Sequence, residues 1–373
     1  MKIENSHLSW CLNIYPGESW SETRENIRTN AVKVKELISK TPDASSYISK
    51  SGLGLGMRIA DQCAKEMLND LESFKKELDE LNLYVFTVNA FPFGNFHKKP
   101  VKQNVYYPDW SSQERVDYTV RTAEILAYLL PEGVNGSIST VPVTYGKSLP
   151  EGAVENLIET AAKLQEIEKK TGKVVKIALE PEPDCYLERT DEAIEFFEIL
   201  KSKNSELTER YLGVCLDTCH MALQFEKPID SLNKLLAANV PIPKIQISSV
   251  LALNTDKYSP EALKRYNEEV YLHQTLVKNN SGIIQFPDLG DAFKANPNGE
   301  WRVHFHVPLY FNGNDEGISS TSNLLDEEFT KRAFAVCDHL ETETYTYGVL
   351  PDAAFDVNSS ITQELLFVLD KLS

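Results

Sequence analysis

Short apolar runs alternate with longer amphipathic stretches along almost the whole chain. The runs at 9–15, 52–57, 83–89, 136–143, 173–179, 211–216, 244–248 and 340–345 read as strands, most of them apolar throughout, as parallel strands buried beneath helices are. Between them, a 3.6-residue apolar period predicts helices over 21–40, 59–81, 112–129, 151–170 and 190–201. The first of these opens on Ser-Glu-Thr-Arg-Glu, with acids in the first turn where the helix dipole favours them. Eight strand–helix units joined by right-handed crossovers predict an α/β fold: a (β/α)8 TIM barrel with enlarged βα loops, spanning residues 1–373 as one domain. One further strand-like alternation, 301–308, falls between the seventh and eighth strands and is expected as an insertion over the barrel mouth.

Polar residues cluster where these strands end. The sixth strand runs into Asp217-Thr218-Cys219-His220, which puts a carboxylate and an imidazole at its C-terminal mouth, the end at which a barrel enzyme places its chemistry. The same residues also suit a helix start, with Asp217 or Thr218 as the cap. The fifth strand ends in Glu180-Pro181-Glu182-Pro183-Asp184, where two prolines hold the acids on an extended segment. On the eighth, Glu341 and Glu343 share a face by the two-residue strand period. Carboxylates aimed into a strand-lined interior must be neutralised by a proton or a cation, and several from different strands favour a divalent metal with oxygen ligands. His304 and His306 lie on one face of the inserted strand, either as a ligand pair or as a hydrogen-bonded wall.

The third βα loop is long and aromatic, carrying Phe91, Phe93, His97, Tyr106 and Trp110. Such a loop is expected to cover a pocket, although its aromatics would equally suit the interface of a homo-oligomer. Asn13 after the first strand and Tyr145 after the fourth are candidates for the same rim. The glycine run 52–56 has no following Lys-Ser/Thr and so is better read as close packing inside a barrel than as a phosphate loop. No nucleophile-elbow motif and no dinucleotide fingerprint is found, which leaves acid–base chemistry with a metal as what these residues can supply.

Composition narrows the partners. A formal net charge of −17 argues against nucleic acid, which needs a basic footprint. With 42% hydrophobic residues, 25% charged and no apolar run of transmembrane length, the chain reads as globular with no membrane span. The N-terminal residues lack the apolar core of a signal peptide, so a cytoplasmic protein is expected. The six cysteines form no C-x-x-C pair and are expected to be reduced; Cys215 and Cys219 flank Asp217 but read better as small core residues than as zinc ligands.

The phrases Leu179-Glu180-Pro181, Asp217-Thr218-Cys219-His220-Met221 and Glu343-Thr344-Tyr345, in barrel order, resemble the motifs of the xylose-isomerase-like TIM barrels, the sugar isomerase and epimerase superfamily. Within it, Phe91-Pro92-Phe93-Gly94 and His304-Phe305-His306-Val307-Pro308 resemble the TIM-barrel family of the Ebo gene cluster, labelled a metabolite-traffic family. The resemblance implies a divalent metal (Mn2+, Mg2+ or Zn2+) held by Glu180, Asp217, Gln246 and Glu343, with Glu180 and Glu343 trading protons with the substrate and His220 touching it. Gln246 stands where that superfamily uses a histidine, so His304 or His306 becomes the candidate for the missing nitrogen ligand. The expected function is metal-dependent isomerisation or epimerisation of a sugar, polyol or cyclitol-like metabolite, with Asn13, Phe91, Phe93, His97, Tyr145, Glu182 and Glu341 as substrate contacts. The alternatives are a non-catalytic metabolite-binding protein and a metal-assisted phosphoester hydrolase.

Overall fold

The protein is described by a computed structural model covering residues 1–94, 102–350 and 356–372. After a two-residue strand, Lys2–Ile3, that pairs antiparallel with Ser6–Trp10, seven parallel strands follow: β1 (Ser6–Trp10), β2 (Leu53–Arg58), β3 (Leu83–Asn89), β4 (Gly136–Thr140), β5 (Val175–Leu179), β6 (Leu212–Asp217) and β7 (Lys244–Ile247). Five strands of an inserted sheet follow, β8 (Val250–Asn254), β9 (Thr275–Asn279), β10 (Gly282–Phe286), β11 (Glu300–His306) and β12 (Ile318–Ser320), and then the eighth barrel strand, β13 (His339–Thr342). The barrel strands lie in the order β1-β13-β7-β6-β5-β4-β3-β2, and a parallel bridge between Cys11 and Gly56 brings β2 back to β1. Helices such as Gln113–Leu129, Ala153–Thr171 and Thr190–Tyr211 connect successive strands. The fold is thus a (β/α)8 TIM barrel. Among the described residues no helix is long and apolar enough to cross a membrane.

The barrel interior is more polar than its strands suggest. At the N-terminal end His7 sits among Tyr84, Phe86 and His339, with ring centroids 5.5, 5.2 and 6.0 Å away. Further along the axis Lys244 of β7 meets Glu341 of β13 at 2.5 Å, both side chains fully buried, and Lys244 also donates to Ser139 Oγ at 3.1 Å. Burial alone would lower the Lys244 pKa, but Glu341 holds it above the usual lysine value. The glycine run follows from this filling: a Cβ on Gly54 would stand 2.7 Å from the Phe86 ring, and one on Gly56 2.0 Å from Glu341 Oε2.

Boundaries differ from expectation where polar residues face inward. The first strand is Ser6–Trp10, and Leu12–Ile14 forms a 3-10 turn. His7 and Ser9 point into the barrel and break the apolar signal of the strand, whereas Leu12 and Tyr15 are apolar because they join the main core. The helix expected over 59–81 is two, Asp61–Met67 and Leu71–Glu80, parted at Asn69-Asp70, where Asp70 turns to accept from Trp20 Nε1 at 2.9 Å.

The insertion is larger than the single strand predicted. Its five strands form an antiparallel sheet in the order β10-β9-β11-β8-β12, with two residues between the end of β7 and the start of β8. Strand β11 has a two-residue period: Trp301, Val303 and Phe305 enter a core of the sheet's own with Leu251, Leu253 and Val277, while His304 and His306 face the barrel mouth. The other four strands escaped the sequence reading because they are short, and β10 is largely exposed.

Removing one partner of a buried ion pair leaves the other charge uncompensated. We expect Lys244→Met to lower unfolding free energy by about 3–5 kcal/mol, and Lys244→Met combined with Glu341→Leu to recover most of that loss. Urea unfolding of the three proteins checks it; equal losses in the single and double variants would show that the pair carries no such burden.

Candidate metal centre and substrate cavity

Strand β6 ends on Asp217, whose Oδ1 accepts from the backbone N–H groups of Cys219 and His220, at 2.7 and 3.1 Å, and from Ser248 Oγ at 2.7 Å. One oxygen therefore caps the helix Thr218–Leu223, while Oδ2 is buried without a hydrogen-bond partner. The cap reading of this residue is met by one oxygen, and the other is left facing the neighbouring acids. Burial works against the Asp217 charge, but His220, His306 and the Ser248 hydroxyl hold its pKa below the usual aspartate value.

Around this carboxylate the other acids gather. One ligand atom each from Glu180, Asp217 and His220 lies within 4.8 Å of the others. Glu343 feels the Asp217 charge and accepts from Asn13 Nδ2 at 2.7 Å and Asn89 Nδ2 at 3.3 Å. Burial, then Asp217 and Glu341, raise the Glu343 pKa well above the carboxylate range; burial, then Glu343, Asp217 and Glu182, do the same to Glu180. Glu182 is raised to about 7 by burial, with His220 and a hydrogen bond to Tyr106 opposing. Glu180 Oε2, like Asp217 Oδ2, is buried and unpartnered. A donor set of crowded carboxylates with unpartnered oxygens fits a divalent cation, which would replace the protons that burial otherwise forces onto these groups.

Gln246 departs from expectation. Its Oε1, the atom expected to reach a metal, accepts from Cys215 Sγ at 3.1 Å, and its Nε2 has no partner and no lone pair to give. The imidazoles come instead from the insertion. His304 Nδ1 donates to Gln274 Oε1 at 2.9 Å, and His306 Nδ1 donates to the Glu343 backbone oxygen at 2.7 Å. The Nε2 atoms of both are buried and unpartnered.

These groups border a cavity of about 80 Å³ lined by Asn13, Asn89, Glu180, Glu182, His220, His304 and Glu343. Phe91, Pro92, Lys102, Val105 and Tyr106 of the third βα loop cover it, joined by Tyr271, Leu272 and Gln274 of the insertion and by Tyr345. Within the described residues the loop thus lies over the mouth. Three sequence candidates fall elsewhere. Phe93 packs edge-on against Tyr118 at 5.1 Å, Tyr145 stands behind Tyr106 at 5.1 Å, and Glu341 is held beneath the site by Lys244. His97 lies outside the described residues. Sequence reasoning missed Asn89, Ser248, Gln274 and Tyr345; Asn89 ends a barrel strand and Ser248 directly follows one, positions that could have flagged them, whereas Gln274 precedes a strand that was not foreseen.

Glu364, on the helix Val357–Asp370, braces the segment that carries Glu343. It accepts from Thr344 Oγ1 at 2.6 Å and from Leu309 N at 3.2 Å. It thereby ties the residue after Glu343 to the chain just beyond His306.

The fold and this site define a (β/α)8 barrel with an acid-rich cavity at the C-terminal mouth of its strands. A model of the xylose isomerase-like TIM barrel family matches residues 55–299, and the chain belongs to that family. Among solved structures it is similar to a xylose isomerase-like TIM barrel protein from Mycobacterium smegmatis in complex with magnesium, at 10% identity and TM-score 0.53, covering 98% of this chain and 96% of the other. It is also similar to the IOLI protein with a bound zinc atom, at 14% identity and TM-score 0.51, covering 98% and 99%. At such identities the likeness is one of fold. No curated protein matches the chain in sequence.

Burial raises the Glu364 pKa from 4.5 to about 7 in the folded chain. The folded state therefore holds this proton more tightly than the unfolded one, and the stability it contributes is present below pH 4.5 and lost as pH rises to about 7, a change of about 3 kcal/mol. Urea unfolding across that range should show a steeper decline for the native chain than for Glu364→Gln; parallel curves would show that Glu364 does not titrate this way.

Proposed function

We propose that the protein is a metal-dependent isomerase or epimerase that moves a proton next to the carbonyl of a sugar, polyol or cyclitol-like metabolite. The observation that carries this reading is the pair Glu180 and Glu343, two buried carboxyls of raised proton affinity on one small cavity, with the ionised Asp217 beside them. Glu180, Asp217 and Glu343 would hold a divalent metal, and such an ion supplies polarisation of the substrate carbonyl and relief of developing negative charge. Glu180 and Glu343 are suited to take and return the proton, because both carboxyls line the cavity, within reach of a bound substrate. Asn13 and Asn89 fix the orientation of Glu343, and His220, its Nδ1 donated to the Pro181 oxygen at 2.9 Å, presents its other ring nitrogen to a substrate hydroxyl. Phe91, Tyr106 and Tyr345 give an apolar cover that excludes water and can stack on a carbon face. The zinc and magnesium of the two similar structures support a metal of this class.

Gln246 favours a second reading, a metabolite-binding protein that has kept the barrel without turnover, because a neutral side chain whose oxygen is engaged weakens the carboxylate centre. Deuterium exchange separates the two. Pentoses, hexoses and inososes incubated in D2O with Mg2+ or Mn2+ should lose proton signal at the carbon beside the carbonyl, and Glu180→Gln or Glu343→Gln should slow this by roughly 10²–10⁴-fold. Binding of a metabolite with no exchange in the whole panel would remove the isomerase reading and leave the second.

A further inference from the structure

A cavity of about 400 Å³ lies where the barrel strands begin, at the end opposite the carboxylate centre. His7 near the start of β1 and Leu83 and Tyr84 at the start of β3 border it. Strand register places its polar edge. Lys2, on the short strand Lys2–Ile3, pairs directly opposite His7 in an antiparallel ladder, so the two side chains stand on one face, and both line the cavity. Lys2 is exposed and, among the described residues, makes no ion pair.

His7 offers a defined atom to this space. Its Nδ1 lies 2.9 Å from Tyr84 Oη, which donates to it, and burial lowers the imidazole pKa to about 3, so the ring is neutral with its proton on Nε2. A Cβ on Gly54 would come 3.0 Å from Tyr84 Cζ, so that glycine makes room for the ring that orients His7. Among the described residues the Nε2 has no hydrogen-bond partner, and His7 is only 5% exposed. A buried donor without an acceptor is costly, and the cavity is where an acceptor can reach it.

The acids at the rim are already matched. Asp79 stands 4.0 Å from Lys75, and Glu132 2.9 Å from Lys173. The helix Leu71–Glu80 ends at the same rim, where Lys35 donates to the Leu81 oxygen at 2.5 Å and offsets the negative end of its dipole. The Lys2 ammonium and the His7 N–H therefore remain as two neighbouring donors, beside a wall of Leu78, Leu83, Leu129 and Val134.

We propose that this cavity is a second ligand site, for a small organic carboxylate with an apolar carbon skeleton. One carboxylate oxygen takes the His7 Nε2–H, the other takes the Lys2 ammonium, and the skeleton lies along the leucine wall. Two donors match two oxygens; a phosphate, with three, would be left short, because among the described residues no arginine lines the cavity. The lining shares no residue with the cavity at the mouth, so the inference holds whether the barrel turns over a substrate or only binds one.

Titration of the full chain with hexanoate, hexanol and inorganic phosphate tests it, followed by calorimetry and by the His7 ring signals in NMR. Hexanoate should bind once per chain at this end and shift the His7 signals. Hexanol, the same skeleton without the charge, should bind roughly 10–100-fold more weakly. Lys2→Met, a change at an exposed position, should weaken hexanoate by a similar factor, as should His7→Phe. Glu180→Gln, at the other end of the barrel, should bind hexanoate as the native chain does. Hexanol binding as tightly as hexanoate would reduce the site to an apolar groove and overturn the proposal. Phosphate bound in preference to hexanoate would overturn the carboxylate assignment. Hexanoate binding that leaves the His7 signals unmoved, or that survives Lys2→Met unchanged, would overturn the site itself, as would no binding of hexanoate.

Discussion

The rest of the structure depends on the burial of negative charge. Glu180, Glu182, Asp217, Glu341 and Glu343 all lie inside the barrel or at its mouth, nearly or fully removed from water, and one lysine, Lys244, stands among them. An isolated buried carboxylate is costly, so each of the five must be answered by something. Lys244 answers Glu341 directly. The first turn of the helix Thr218–Leu223, with Ser248, answers one oxygen of Asp217, and the amides of Asn13 and Asn89 answer one oxygen of Glu343. What remains unanswered faces the cavity, and there the barrel has a demand for positive charge that its own described side chains do not meet.

The inserted sheet bears on that demand in an indirect way. It brings no cation to the centre but two neutral imidazoles, whose lone pairs are aimed by oxygen acceptors on their far side. Strand β7, which could have carried a ligand, carries Gln246 with its oxygen turned to Cys215. The imidazoles at the mouth thus stand on the inserted sheet and not on the barrel wall. Their position depends on the docking of two separately cored parts, and the contacts that join them, Thr346 Oγ1 to the His306 oxygen and Glu364 to Leu309 and Thr344, are themselves buried polar bonds. Such bonds are directional, and so hold the end of β11 against the segment after β13 more strictly than apolar packing would.

Much of this was legible in the sequence, and the reasons are particular. Five amphipathic helices and eight apolar runs announced the barrel, because each must hide one face and a parallel strand must hide two. Glu180, Asp217 and Glu343 were recognisable as a set because each follows a strand, and in a barrel all strand ends share one rim. His304 and His306 were seen as a pair because a strand has a period of two. Strand β1 was misplaced for the converse reason: its inward residues, His7 and Ser9, are polar in answer to groups on other strands, and nothing local reveals that.

The sequence by itself determined which residues sit on which element and which face. Periodicity and punctuation are local properties, set by backbone geometry and by the need to bury apolar side chains. Only the tertiary structure decided what those residues meet: that Glu341 is spent on Lys244, that Phe93 turns to Tyr118, that Gln246 turns to Cys215, and that His220 joins two histidines more than eighty positions along the chain. These are through-space electrostatic and packing relations between distant segments, and no local pattern carries them.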